Sequence, residues 1–160
     1  MTDDTGSEST ENAGVIAPPP LIFLAALAAG FKLNRRIGRG SLPLAVRLPL
    51  GAATFLAGGT LMRSFVQAFQ QAGTPLDPYK PSKAIVTDGP YRFTRNPGYL
   101  GMALVYSGIT LLADAPWALV PLPVAVAVID RGVIAREERY LERTFGAPYV
   151  DYKRHVRRWA

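Results

Sequence analysis

Residues 87–101 read TDGPYRFTRNPGYLG and stand directly before a long apolar run. Two Gly/Pro breaks, Gly89-Pro90 and Pro97-Gly98, are set among Tyr91, Arg92, Phe93, Arg95 and Tyr99. Proline fixes φ and lacks an N–H, and glycine tolerates positive φ, so these breaks free backbone amides near a helix N-terminus. Such an end carries partial positive charge and attracts an anion. Arg92 and Arg95 strengthen that field, and the three aromatic rings offer flat faces to a planar group or a cation. The same residue types also mark the interfacial belt of a membrane helix. A second polar segment, Arg136-Glu137-Glu138-Arg139, is followed by Tyr140, Leu141 and Glu142. On a helix its adjacent acids point about a quarter turn apart, so they serve different partners. One suits a ligand's hydroxyl or cationic group; the plainer alternative is ion pairing along a solvated helix. Asp130 ends an otherwise uncharged block, where an ionisable group is either functional or paired with the neighbouring Arg131. His155, the only histidine, lies in a basic segment without an evident partner and is not expected to be catalytic.

The elements that must position these groups follow from where the charge is missing. The chain has 160 residues, 49% of them hydrophobic, and a formal net charge of +6, so its apolar residues must be segregated into blocks. Four uncharged blocks run over 13–31, 48–62, 96–113 and 115–129. The first, as a helix, is about 28 Å long, close to the hydrocarbon thickness of a bilayer. The shorter ones span if Arg47, Arg63 and Arg131 extend their charged heads to the interface. A soluble bundle would carry polar residues at helical spacing within such blocks, and almost none are present. The expected fold is therefore all-α and polytopic, with about four transmembrane helices, a bilayer as partner and no nucleic acid. Residues 1–12 read as a disordered acidic tail and 13–160 as one membrane-embedded domain, with 13–69 forming an N-terminal helix pair. The absence of cysteine excludes disulfides, thiolate metal sites and a cysteine nucleophile.

Four crossings place both termini and the connection 63–98 on one side. That side holds 13 Lys and Arg residues against five at Lys32, Arg35, Arg36, Arg39 and Arg47, which predicts a cytoplasmic location for the termini and the site. The basic stretch KLNRRIGRG on the other side pulls against that assignment. Asp114-Ala115-Pro116 makes a tight hairpin of the third and fourth blocks, bringing the opening motif to AREERYLERTFG. Phe145, Tyr149, Tyr152, Val156 and Trp159 recur at spacings of four and three, as on an amphipathic C-terminal helix that lies on the membrane or closes over a site.

GPYRFTRNPGYLG, a hairpin, and then EERYLERTFGAPYVDYKR together resemble the integral-membrane methyltransferases typified by isoprenylcysteine carboxyl methyltransferase and the phospholipid N-methyltransferases, over roughly residues 76–158. The resemblance implies a cofactor-binding half at 76–160 that holds S-adenosylmethionine and methylates a lipophilic carboxylate, thiol or amine. Carried over by position, the cofactor contacts are Lys83, Ala84, Ile85, Val86, Tyr91, Asn96, Pro97, Gly98, Tyr99 and Glu137. Arg131 falls where an acidic or lipidic substrate would be met, and Glu138 is, with Asp130, a candidate base. The family usually has histidine where Asn96 stands, and often where Lys83 stands. Asparagine can donate and accept hydrogen bonds but cannot titrate near neutrality, which favours an acceptor that is anionic or easily deprotonated. Two other readings compete. Sterol-reductase-like enzymes that use NADPH have a similar motif, but here Gly98 and Met102 replace its Asn and acid. A noncatalytic lipid-binding scaffold would retain the shape without the chemistry.

Overall fold

A computed structural model describes residues 17–38, 42–76 and 80–160; the expected acidic tail, and Arg39 of the basic stretch, lie outside the described residues. Among the described residues all regular secondary structure is helical. Helix α1 spans Pro19–Ile37, α2 Leu44–Gln71, α3 Pro97–Leu112, α4 Leu122–Ile129, α5 Ala135–Phe145 and α6 Ala147–His155. A π-helical turn, Asp130–Ile134, joins α4 to α5, so that Pro116–Phe145 runs on as one long apolar helix.

The blocks and the helices differ in register. The first block was expected over 13–31, whereas α1 begins at Pro19 and ends at Ile37. Proline is preorganised for the first helical turn, and Arg35 and Arg36 sit in the last turn, where the helix dipole favours cations. Much of the stretch read as a basic loop is thus the end of a helix. Helix α2 extends beyond its block at both ends and runs through Pro49, within its second turn. Among the described residues, two helices, Leu44–Gln71 and Pro116–Phe145, are long and apolar enough to cross a membrane. Leu24, Leu48, Leu56, Val120, Val124 and Val128 point outward from the bundle, as apolar faces turned to lipid would.

The closest packing joins α2 to α3 through glycines. A Cβ on Gly108 would stand 2.7 Å from the Phe55 backbone, and one on Gly58 would stand 2.7 Å from the Val105 nitrogen. Lipid supplies no hydrophobic drive between helices, so small residues that let backbones approach do the work. Arg47 donates to the Leu112 carbonyl at 2.8 Å and occupies an unsatisfied acceptor at the end of α3. Helix α1 joins through Gly30 against Ala118, and the buried Tyr106 hydroxyl donates to the Ala118 carbonyl at 2.6 Å. Phe23, Ile129, Val133 and Ile134 complete the core around Tyr106.

Asp114, at positive φ, turns the chain between α3 and the 3-10 turn Pro116–Leu119, as short a connection as expected. The start of α1, the end of α2, the start of α3 and the α5–α6 region consequently gather at one end of the bundle, where they line a common cavity.

Candidate active site

The cavity encloses about 430 Å³. Its aromatic wall consists of Phe65 and Phe69 from α2 and Tyr91 from the 3-10 turn Gly89–Arg92, with ring centroids 5.0 to 6.4 Å apart. Gly89 has φ near +60°, which glycine adopts without strain and which starts this turn. Tyr91 is buried, and burial holds its phenol well above the usual range, so the ring is a neutral face at physiological pH. The Tyr152 hydroxyl donates to the Tyr91 carbonyl at 2.7 Å, and its own pKa is pushed up to about 12, chiefly by burial.

The acidic pair lines the same cavity, and its two members do diverge. Glu137 lines the cavity and accepts a hydrogen bond from the Tyr99 hydroxyl at 2.7 Å. Glu138 is buried and accepts from Arg95 at 2.7 Å and from Arg158 at 2.6 and 3.1 Å. Both of its oxygens are therefore engaged by guanidinium groups. A carboxylate so neutralised holds the site together, and as a proton acceptor it is poor. Asp130 is likewise engaged, but by Arg158 at 3.2 Å and the Trp159 indole N–H at 2.9 Å, not by its sequence neighbour Arg131. Arg131 is exposed and outside the cavity lining.

Ala84, Ile85, Val86, Tyr91, Asn96, Gly98, Tyr99, Glu137 and Glu138 all line the cavity. Lys83 and Pro97 do not. The Lys83 side chain is exposed, while its backbone N–H donates to the Thr74 hydroxyl. That bond ties the loop carrying Ala84 to Val86 to the segment after α2, and one from the Ser82 N–H to the Tyr140 hydroxyl at 3.0 Å ties it to α5. Pro97 is buried in the first turn of α3.

Several of the amides in the motif are used inside the protein. The Tyr91 N–H donates to the Asp88 carbonyl, the Arg95 N–H to the Arg157 carbonyl, and the Asn96 N–H to the Thr94 hydroxyl. The two arginines of the motif also part company. Arg92 pairs with Asp88 on the surface, and Arg95 turns inward to Glu138 and to the carbonyls of Lys153 and Val156.

The C-terminal segment closes over the site, one of its two expected roles, but not as a single helix. Gly146, at positive φ, separates α5 from α6, which ends at His155 with Val156 in an extended conformation. The stripe is broken because carbonyls beyond α6 are taken by the lip of α3. The Arg158 carbonyl accepts from the Thr94 hydroxyl at 3.0 Å and from the Asn96 amide at 2.9 Å. Asn96, a good N-capping type, makes no side-chain cap and spends its amide on this strap. His155 is exposed and outside the cavity. Sequence reasoning set Arg95 beside Arg92 as a contributor to an anion-attracting field, without telling the two apart; it missed Arg158, which no local signal separates from the other 17 Lys and Arg residues.

The aromatic wall, the Glu137–Tyr99 pair and the pinned apolar loop fit a ligand with a planar ring, a cationic centre and hydroxyl groups. A family model described as phospholipid methyltransferase matches residues 46–148. A 61-residue stretch is 41% identical to an uncharacterized protein of Haemophilus influenzae, over 38% of this chain and 97% of that one. Another of 72 residues is 32% identical to protein-S-isoprenylcysteine O-methyltransferase B of Arabidopsis thaliana, over 45% of this chain and 36% of that protein. The match thus spans little more than a third of the Arabidopsis protein's length. No solved structure matches.

Proposed function

Because this chain belongs to the phospholipid methyltransferase family, we propose that it transfers a methyl group from S-adenosylmethionine to the reactive end of a lipophilic acceptor at the cytosolic face of a membrane. The observation that carries the reading is the cavity lined both by Glu137, oriented by Tyr99, and by the aromatic cluster of Phe65, Phe69 and Tyr91. When bound, S-adenosylmethionine supplies a methyl group on a cationic sulfur that is a good leaving group. Glu137 would hold a hydroxyl or ammonium group of the cofactor, and the backbone of Ala84 to Val86 would flank its planar ring. The aromatic faces of the cavity favour positive charge and keep water out. Such a displacement needs orientation and desolvation above all, and these are what a rigid lining provides.

With Glu138 and Asp130 both engaged by Arg158, the site is poorly provided with a base. This supports an acceptor that arrives anionic or is easily deprotonated, such as a carboxylate or thiol, over a protonated amine. Both described ends of the chain meet at the cavity end of the bundle, and the excess of Lys and Arg in the segments there supports a cytoplasmic placement in a four-crossing topology.

The test is binding of S-adenosylmethionine, S-adenosylhomocysteine and NADPH to detergent-purified protein by calorimetry, with Glu137→Gln alongside. Saturable binding of the first two, weakened tenfold or more in the variant, is expected. Binding of NADPH alone would reject the methyltransferase reading, and equal affinities for both proteins would remove Glu137 from the site.

A further inference from the structure

Arg158 lies outside the cavity lining, yet it holds three separate parts of the site. Its guanidinium forms two bonds to Glu138 on α5 and reaches Asp130 at the start of the π-helical turn. Its carbonyl accepts the Thr94 hydroxyl and the Asn96 amide at the lip of α3. Tyr99 stands on the first turn of α3, three residues after Asn96, and Glu137 is the residue before Glu138. Each end of the Tyr99–Glu137 hydrogen bond is therefore within one helical turn of a group that Arg158 holds.

The π-helical turn makes this grip consequential. Its wider winding places α5 at an angular register that α4 alone would not give, and such turns are rarely stable without local support. Asp130 opens the turn and Glu138 follows four residues after its end. A side chain bonded to both fixes how the face carrying Glu137 is rotated toward α3. Arg95 makes the matching tie from the α3 side, but it reaches neither Asp130 nor the turn. Arginine suits this position because its fork addresses two carboxylates at once, whereas lysine offers a single point charge.

We propose that Arg158 is a positioning residue: acting from the C-terminal strap, it sets the register of α5 against the lip of α3 and so aligns Glu137 and Tyr99 for the ligand. This rests on the reading of the cavity as the S-adenosylmethionine site.

The experiment is a double-mutant cycle on the full chain in detergent, with S-adenosylmethionine affinity measured for the unaltered protein, Glu137→Gln, Arg158→Gln and the double variant. Arg158 and Glu137 are not bonded partners, so a purely structural role would leave their effects additive. Each single change is expected to weaken binding about tenfold, and the double variant to lie within about threefold of the weaker single. A loss near 100-fold in the double variant, or unchanged affinity in Arg158→Gln, overturns the proposal. Should Arg158→Gln not fold, Arg158→Lys takes its place in the cycle, with a loss of about threefold expected and the double variant no weaker than Glu137→Gln alone; an additive loss of about 30-fold in the double variant, or unaltered affinity in Arg158→Lys, counts against it. If the unaltered chain does not bind S-adenosylmethionine, the cofactor reading fails and this inference falls with it. Binding by the unaltered chain with no effect at Arg158 overturns the positioning role alone.

Discussion

Glu138→Gln is expected to destabilise the fold far more than Glu137→Gln, although the two residues are adjacent and carry the same charge. The Glu138 and Arg95 side chains are only 7% and 9% exposed, and that of Arg158 is 33% exposed. Glutamine keeps the shape but removes the charge, and its amide turns N–H groups toward a guanidinium. Removing one partner of a buried pair costs about 3–5 kcal/mol because the other charge is left uncompensated. Arg158 can recover some solvation, which places the total near the lower part of that range, at about 3.5 kcal/mol. For a chain of this size, that corresponds to a fall in Tm of roughly 7–14 °C. Glu137→Gln leaves the Tyr99 hydroxyl an amide oxygen to donate to, so its cost is about 1 kcal/mol or less and its fall in Tm is below about 4 °C. The assay is thermal unfolding in detergent, followed by the fluorescence of Trp117 and Trp159, with ligand affinity measured well below the transition. Equal falls for the two variants, or a fall under about 3 °C for Glu138→Gln, would refute the division of labour between the two acids.

Gly108→Val should separate α2 from α3, because its new side chain meets Phe55 backbone atoms that cannot rotate away; a cost of about 3 kcal/mol or more would appear as loss of monodisperse protein on gel filtration. Arg47→Leu removes a charged hydrogen bond to the Leu112 carbonyl at the end of the bundle opposite the cavity. It should lower stability by about 1.5–3 kcal/mol in a thermal melt and leave S-adenosylmethionine affinity unaltered. Tyr140→Phe takes the acceptor from the Ser82 N–H, loosening the loop of Ala84 to Val86. Calorimetry should show a several-fold weaker ligand, with a stability change of about 1 kcal/mol. Lys153→Gln breaks a pair with Glu142 in which both side chains are about a third exposed. A melt within about 1 kcal/mol of the unaltered protein is expected.

Much of this protein follows from its residues in order. Charge-free blocks can only be helices in a nonpolar phase, since each backbone N–H must find its acceptor within the segment. That argument located α3 to within a residue at each end, and the brief Asp114 turn brought Tyr99 to the segment of Glu137. The divergence of Glu137 and Glu138 was legible for the same reason, because neighbours on a helix must face different partners. What the tertiary structure decided was every choice between chemically equal candidates. Arg92 and Arg95 look alike in sequence, yet one pairs with Asp88 in water and the other lies buried against Glu138. Asp130 had Arg131 beside it and took Arg158, 28 residues away. The C-terminal stripe promised one helix, and the strap ended it at His155 by offering its carbonyls to the lip of α3. Local propensity and spacing depend on a few neighbouring residues, whereas the partner of a buried charge depends on which distant group can reach it once water has been excluded. That selection exists only in the folded chain.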